Sequence, residues 1–112
     1  MDKNGEKKYY KTSEAAEIIG VAPSTLRFWE GEFPSLRPKR NDKGTRFYSQ
    51  ADMERLRMIK YLLKHRGMHI ERARREMIDN PQGVERLSRA VGRLEEIRAK
   101  LQGLIDAIDS MS

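Results

Sequence analysis

Beyond Asn80-Pro81, apolar side chains return every seven residues, at Leu87, Leu94, Leu101 and Ile108. Two flanks accompany this line: Val84, Val91 and Ile105 on one side, and Ile97, Leu104 and Met111 on the other, with Arg98 interrupting the first. Residues seven apart share one face of an α-helix, and a sustained repeat of this kind is the pattern of a coiled-coil seam. The residue before a proline resists helical backbone, so Asn80-Pro81 marks a break and one helix is expected from about Gln82 to Ile108. Roughly 27 residues at 1.5 Å each make a rod of ~40 Å, longer than a small head can cover. A second copy of the chain is the expected cover, with Leu87, Val91, Leu94, Leu101, Leu104 and Ile108 as the dimerisation residues.

The rest of the chain must supply that head from a modest core. The 112 residues have room for one compact domain and an additional helix. Charged residues make up 36% and aromatics 7%, so the core is expected to be aliphatic and helical. Residues 1–81 hold 18 Lys and Arg against 12 Asp and Glu, a net +6, whereas residues 82–112 hold five of each. All of the surplus lies in the head, as expected if the head meets a polyanion and the helix meets something near neutral. Double-stranded DNA is the leading partner. The absence of cysteine removes disulfides and thiolate metal sites. No apolar run is long enough to span a bilayer, and residues 1–8 lack a signal-peptide core. A cytoplasmic, nucleoid-associated protein with a short disordered tail over residues 1–8 is expected.

Within the head, Thr12 to Ile19 predicts a helix, with Thr12 or Ser13 as N-cap, an apolar face of Ala15, Ala16, Ile18 and Ile19, and Gly20 as its end. Pro23 suits a first helical turn, so a second helix is expected over Pro23 to Glu30. The pair has the form of a helix-turn-helix. Leu36 to Tyr48 contains the turn formers Asn41, Asp42 and Gly44 between extended-type residues, which predicts a β-hairpin or wing. Ser49 and Asp52 form a capping-box pattern ahead of a helix that buries Met53, Leu56, Ile59, Tyr61, Leu62 and Leu63 and closes at Gly67. A shorter helix is expected around Ile70 to Ile78.

Five basic residues, Arg37, Lys39, Arg40, Lys43 and Arg46, fall within ten positions of the wing beside one acid, Asp42. Contacts from such residues to phosphate give salt-dependent affinity, whereas sequence is read by side chains that enter a groove. The second helix offers Ser24, Thr25, Arg27 and Phe28 for that role, with Arg27 the foremost candidate for a base contact. Leu26 and Trp29, three apart, read as core. His65 and His69 have the spacing of a helical metal pair, but Gly67 lies between them and a third ligand is missing, so no metal site and no cofactor is expected. Neither a nucleophile motif nor a glycine-rich phosphate loop is present, which argues against an enzyme.

Taken together, Tyr10-Lys-Thr-Ser-Glu-Ala-Ala, Gly20-Val21-Ala-Pro-Ser-Thr-Leu-Arg-Phe-Trp-Glu30, Leu36-x-Pro-x-Arg-Asn-x-x-Gly-x-Arg-x-Tyr48, Ser49-x-x-Asp-Met-Glu-Arg-Leu-Arg-Met-Ile-Lys60 and Gly67-Met-His-Ile-Glu71 resemble the N-terminal domain of the MerR family of transcriptional regulators. The resemblance covers about residues 9–78. It implies a mostly α protein with a small β-hairpin wing: a winged helix-turn-helix head over 9–79 and a dimerisation helix over 80–112 that pairs with its twin as an antiparallel coiled coil. Carried over by position, it nominates Ser24, Thr25, Arg27 and Phe28 as groove-facing, Arg40, Asn41, Lys43, Gly44 and Arg46 as wing contacts, and Lys60 as a phosphate ligand.

It further implies a homodimer on a palindromic promoter site, DNA distortion, and RNA polymerase as a further partner. The chain departs from the pattern at Phe28-Trp29, where many members carry two tyrosines, at Thr45, where an aromatic is common, and in the longer Glu30 to Leu36 connection. It also shows neither an effector domain nor the cysteines of metal-sensing members, so sensing has no visible seat. Two other functions fit the same features: an excisionase-like factor that bends DNA, and an adaptor whose coiled coil recruits another protein.

Overall fold

The computed structural model describes residues 8–111, so all but Lys8 of the expected N-terminal tail lies outside the described residues. Strand β1 (Tyr9–Lys11) leads directly into α1 (Thr12–Ile19), and a short turn joins it to α2 (Pro23–Glu32). The wing strands β2 (Lys39–Arg40) and β3 (Arg46–Ser49) follow, then α3 (Gln50–Lys60), a π-helical turn (Tyr61–His65), α4 (Ile70–Asp79) and α5 (Pro81–Met111). The three strands form one antiparallel sheet in the order β1-β3-β2, with Tyr10 opposite Tyr48 and Arg40 opposite Arg46.

Two local expectations need correction. The N-cap of α1 is Lys11, not Thr12 or Ser13, because β1 pairs with β3 up to Lys11 and holds that residue extended; the Glu14 carboxylate accepts the Lys11 backbone N–H at 3.1 Å. Ile18, assigned to the apolar face of α1, is half exposed, while Ala15, Ala16 and Ile19 are buried. The other caps follow the sequence. Gly20 ends α1 with φ +86°, a left-handed conformation that costs glycine little. The Ser49 hydroxyl accepts the Asp52 backbone N–H at 3.1 Å, and the Asp52 carboxylate accepts the Ser49 N–H at 3.0 Å, completing the capping box of α3.

The core joins the helices of the head to β3, with Tyr10 of β1 packed against it, while both residues of β2 are exposed. Leu26, Trp29 and Phe33 of α2 and its end meet Ala15, Ala16 and Ile19 of α1, Tyr48 of β3, and Met53, Leu56 and Ile59 of α3. Ala73, Met77 and Val84 extend the same cluster into α4 and α5, with Val91 packed at its edge. Val84, Ser88 and Val91 therefore spend one face of α5 on its own head. The seven-residue line faces elsewhere: Leu87 is 43% exposed, Leu94 65%, Leu101 59% and Ile108 60%. The helix runs four residues beyond the expected bounds in all, and its 31 residues span ~46 Å at 1.5 Å per residue.

At the centre of the sheet, Tyr48 is fully buried, and its hydroxyl has no hydrogen-bond partner among the described residues. Burial raises its pKa above the ordinary phenol value of 10.0, and the charge of Glu30 adds to the rise. Thr12 and Arg46 act against the shift, but Thr12 does not reach hydrogen-bonding geometry, so burial wins. A raised folded-state pKa means that this contribution to stability is complete below pH 10 and is lost as pH rises through the folded value. Tyr48→Phe is expected to change stability at neutral pH by less than about 1 kcal/mol, since it removes an unpaired buried hydroxyl. It is also expected to flatten the alkaline loss of stability above about pH 10, read by thermal unfolding of both proteins across pH 8–11.

Candidate nucleic-acid interface

The turn before α2 fixes how that helix is presented. Gly20 and Val21 both donate backbone N–H groups to the Ala16 carbonyl, at 2.8 and 3.1 Å, and Pro23 occupies the first turn of α2, where a missing N–H costs nothing. Leu26 and Trp29 face the core as expected. Four residues at helical spacing form the opposite face: Ser24, Arg27, Phe28 and Gly31 are all exposed. Thr25 lies at the margin, half-buried.

Both helices of the pair are held from behind by cations. The Lys60 ammonium donates to the Ile19 carbonyl at 2.8 Å, and Arg74 donates through Nε to the Glu32 carbonyl at 2.7 Å. A positive charge on the last carbonyls of a helix satisfies orphan acceptors and complements the helix dipole. Lys60, nominated as a phosphate ligand, is placed as a brace for α1 and the turn.

The wing is built around Asn41. Its side-chain oxygen accepts the backbone N–H groups of Lys43 at 3.0 Å and Thr45 at 2.9 Å, and its carbonyl accepts Gly44 N–H at 2.9 Å. Gly44, at φ +81°, supplies the left-handed step that closes the loop. Asn41 and Gly44 thus shape the tip, and the Lys43 side chain stands on it, exposed.

Glu30, which the sequence did not single out, joins the wing to α2. Its two carboxylate oxygens accept separately from the guanidinium groups of Arg40 and Arg46. Glu30 and Arg46 are largely covered, at 16% and 23% side-chain exposure, and a charge-assisted pair that is partly withdrawn from water is stronger than a surface one. The only signal in the sequence was its position one turn beyond Arg27, which does not point to the wing. Elsewhere in the wing, Arg37 donates to the Pro34 carbonyl at 3.0 Å, and Lys39 stands 5.6 Å from the centre of the Tyr9 ring. Among the described residues of α2 and the wing, Arg27 and Lys43 are the cationic side chains that have neither an ion pair nor a hydrogen bond.

The two histidines separate. His65 ends the π-helical turn, with its ring 6.2 Å from that of Tyr61 and its Nε2 3.6 Å from a Glu95 carboxylate oxygen, whereas His69 caps α4 beyond Gly67. The described residues include no cluster of three His, Cys, Asp or Glu side chains suited to a metal, and no helix long and apolar enough to cross a membrane.

Residues 10–79 match the family model described as MerR HTH family regulatory protein. The chain is 39% identical over 51 residues to the HTH-type transcriptional regulator MlrA of Escherichia coli K12, an overlap covering 46% of this chain and 21% of that protein. It therefore spans about a fifth of the length of that relative. To the E. coli K12 regulator ZntR it is 27% identical over 100 residues, covering 85% of this chain and 70% of ZntR. Among solved structures it is similar to HiNmlR, a MerR family regulator lacking the sensor domain and bound to promoter DNA. That match has 26% identity and a TM-score of 0.51 over 92% of this chain and 84% of the other. A MerR family regulator from Bacillus cereus shares the fold, with a TM-score of 0.56 at 23% identity over 88% of this chain and 78% of that one.

Proposed function

Because the chain belongs to the MerR HTH family of regulatory proteins, we propose that it binds a palindromic promoter or operator site as a homodimer and regulates transcription by distorting the DNA. The observation that carries this is the exposed stripe of α2, with unpaired Arg27 at its centre, locked beside a wing whose tip carries unpaired Lys43. Arg27 reads a guanine edge in the major groove, where its forked donors match two acceptors. Ser24 and Thr25 lie nearer the N-terminus of α2 and contact the neighbouring edge or phosphate. Lys43 follows the backbone and supplies affinity without sequence preference. The DNA-bound structure of a relative without a sensor domain supports DNA as the ligand of this face.

Dimerisation uses the uncovered line of α5, so the chain divides into a reading head over 9–79 and a dimerisation helix over 80–112. Charge along α5 supports an antiparallel pair. Residues 81–93 carry Arg86, Arg89 and Arg93 against Glu85, a net +2, while residues 94–111 carry Glu95, Glu96, Asp106 and Asp109 against Arg98 and Lys100, a net −2. Head-to-tail alignment sets unlike halves side by side, and the two helix dipoles also oppose. Twofold symmetry then makes the DNA site an inverted repeat.

Rods of this length hold the two heads at a fixed separation. A site whose half-sites do not match that separation is engaged by bending or untwisting the DNA, which is the form of indirect readout that can present promoter elements to RNA polymerase. Such a protein works in the cytoplasm, at the nucleoid. Selection from a random DNA pool by the purified protein at near-physiological salt tests the proposal. An enriched inverted repeat with fixed half-site spacing is expected. Salt-sensitive binding without any enriched sequence would overturn sequence reading and favour an architectural role, and no binding would favour an adaptor.

A further inference from the structure

Phe28 is the one aromatic residue among the large exposed hydrophobics of the described chain, and it is 55% exposed. It sits in the middle of the outward stripe of α2, between Ser24 one turn before and Gly31 one turn after, and next to Arg27. A side chain built at Gly31 would meet nothing within 4 Å, so the shelf beside the ring is open to whatever approaches. Leu26 and Trp29 on the inner face are fully used by the core, so packing does not require a large apolar residue at position 28.

Phenylalanine has neither donor nor acceptor and cannot bond to a phosphate or to the polar part of a base edge. What it can do in a major groove is make apolar contact, and the apolar group displayed there is the 5-methyl of thymine. We propose that Phe28 reads a pyrimidine 5-methyl group in each half-site, next to the guanine read by Arg27. This rests on the proposed function, since it needs α2 in the groove. The bare ring has no polar group to spend on phosphate, so its contribution in the groove is confined to that apolar contact.

The test replaces thymine by uracil, one position at a time, in the inverted repeat enriched by selection. Uracil keeps every polar atom and removes only the methyl. At one thymine per half-site the substitution is expected to weaken binding about fourfold, the value for returning one methyl-sized apolar group to water, and ~15-fold when both half-sites are changed. Phe28→Ala is expected to bind the thymine and uracil sites equally while keeping its guanine preference at the Arg27 position, which also shows that the variant is folded. Phe28→Leu, still apolar, is expected to keep part of the discrimination. Enrichment of an inverted repeat with indifference to uracil at every position overturns the methyl reading and leaves the proposed function intact. A Phe28→Ala variant that still discriminates thymine from uracil overturns it as well, by assigning the methyl to another residue. Failure to enrich any sequence overturns both.

Discussion

Leu94→Lys is expected to convert the protein into a folded monomer whose affinity for its inverted repeat is about 10²- to 10⁴-fold weaker, the range over which linking two modules raises affinity. Leu94 lies in the middle of the line Leu87, Leu94, Leu101 and Ile108, and it is 65% exposed within one chain. Lysine at this position therefore touches nothing in the head, which should still unfold cooperatively, at a temperature lowered by whatever the pairing contributes. In an antiparallel pair the substitution acts twice, burying two ammonium groups in a seam whose leucines would each contribute about 1.5–3 kcal/mol on burial. Burial of an unpaired charge costs more than that gain, and the pair separates. Sedimentation or light scattering at micromolar concentration reads the mass, and titration on the full site and on a single half-site reads the affinity. Dimers with unchanged binding would refute the proposed use of α5. A variant that binds one half-site as the wild-type head does would show that the loss is one of linkage alone.

The elements that were legible in the sequence are those fixed by local chemistry. Ser49 and Asp52 cap α3 in the expected way, Gly20 ends α1, and Leu26 and Trp29 turn inward, because these features depend on residues within one or two turns of each other. Strand β1 was not legible, since three residues are too few to show alternation and Tyr10 is extended only through its pairing with Tyr48. The same pairing moved the cap of α1 to Lys11. Val91 illustrates a different limit: its position in the repeat says that it is on an apolar face, but not that the face turns toward its own head, where it packs at the edge of the core.

At the interface, composition revealed the charge and concealed its partners. Of the five basic residues in the wing, two are held by Glu30, one donates to the Pro34 carbonyl and one stands over Tyr9. Glu30 is ten residues from Arg40 and sixteen from Arg46, so nothing local connects them. Its physical effect is to hold the wing against α2, which sets where Lys43 stands relative to Arg27. Arg46, the more covered of the two arginines, contributes through that geometry. Its Nε is committed to Glu30, so a DNA phosphate would have to use the remaining guanidinium N–H groups or displace the carboxylate.

This division of labour gives unequal consequences to substitutions that look alike. With the proposed two-pronged contact of Arg27 worth about 1–3 kcal/mol at each half-site, Arg27→Ala should cost a dimer about 2–6 kcal/mol, or ~30- to 10⁴-fold in specific affinity. Preference at one base position should relax, while binding to unrelated DNA and its dependence on salt change little. Lys43→Ala should weaken binding to all sequences alike and reduce the slope of log affinity against log salt by about 0.9 per head, or ~1.8 for the dimer. Arg46→Ala should change that slope less than Lys43→Ala, because Arg46 is largely covered and its charge is partly offset by the Glu30 carboxylate it shares with Arg40, and should lower thermal stability instead, since Glu30 then keeps only Arg40. Titrations of the three variants on specific and unrelated DNA across a salt series separate these outcomes. If Arg46→Ala flattens the slope as much as Lys43→Ala does, Arg46 meets phosphate, through its remaining N–H groups or by leaving Glu30, and the wing arginine is a phosphate ligand after all. If Arg27→Ala lowers binding to every sequence equally, the outward face of α2 meets backbone rather than bases, and the reading of sequence must lie elsewhere.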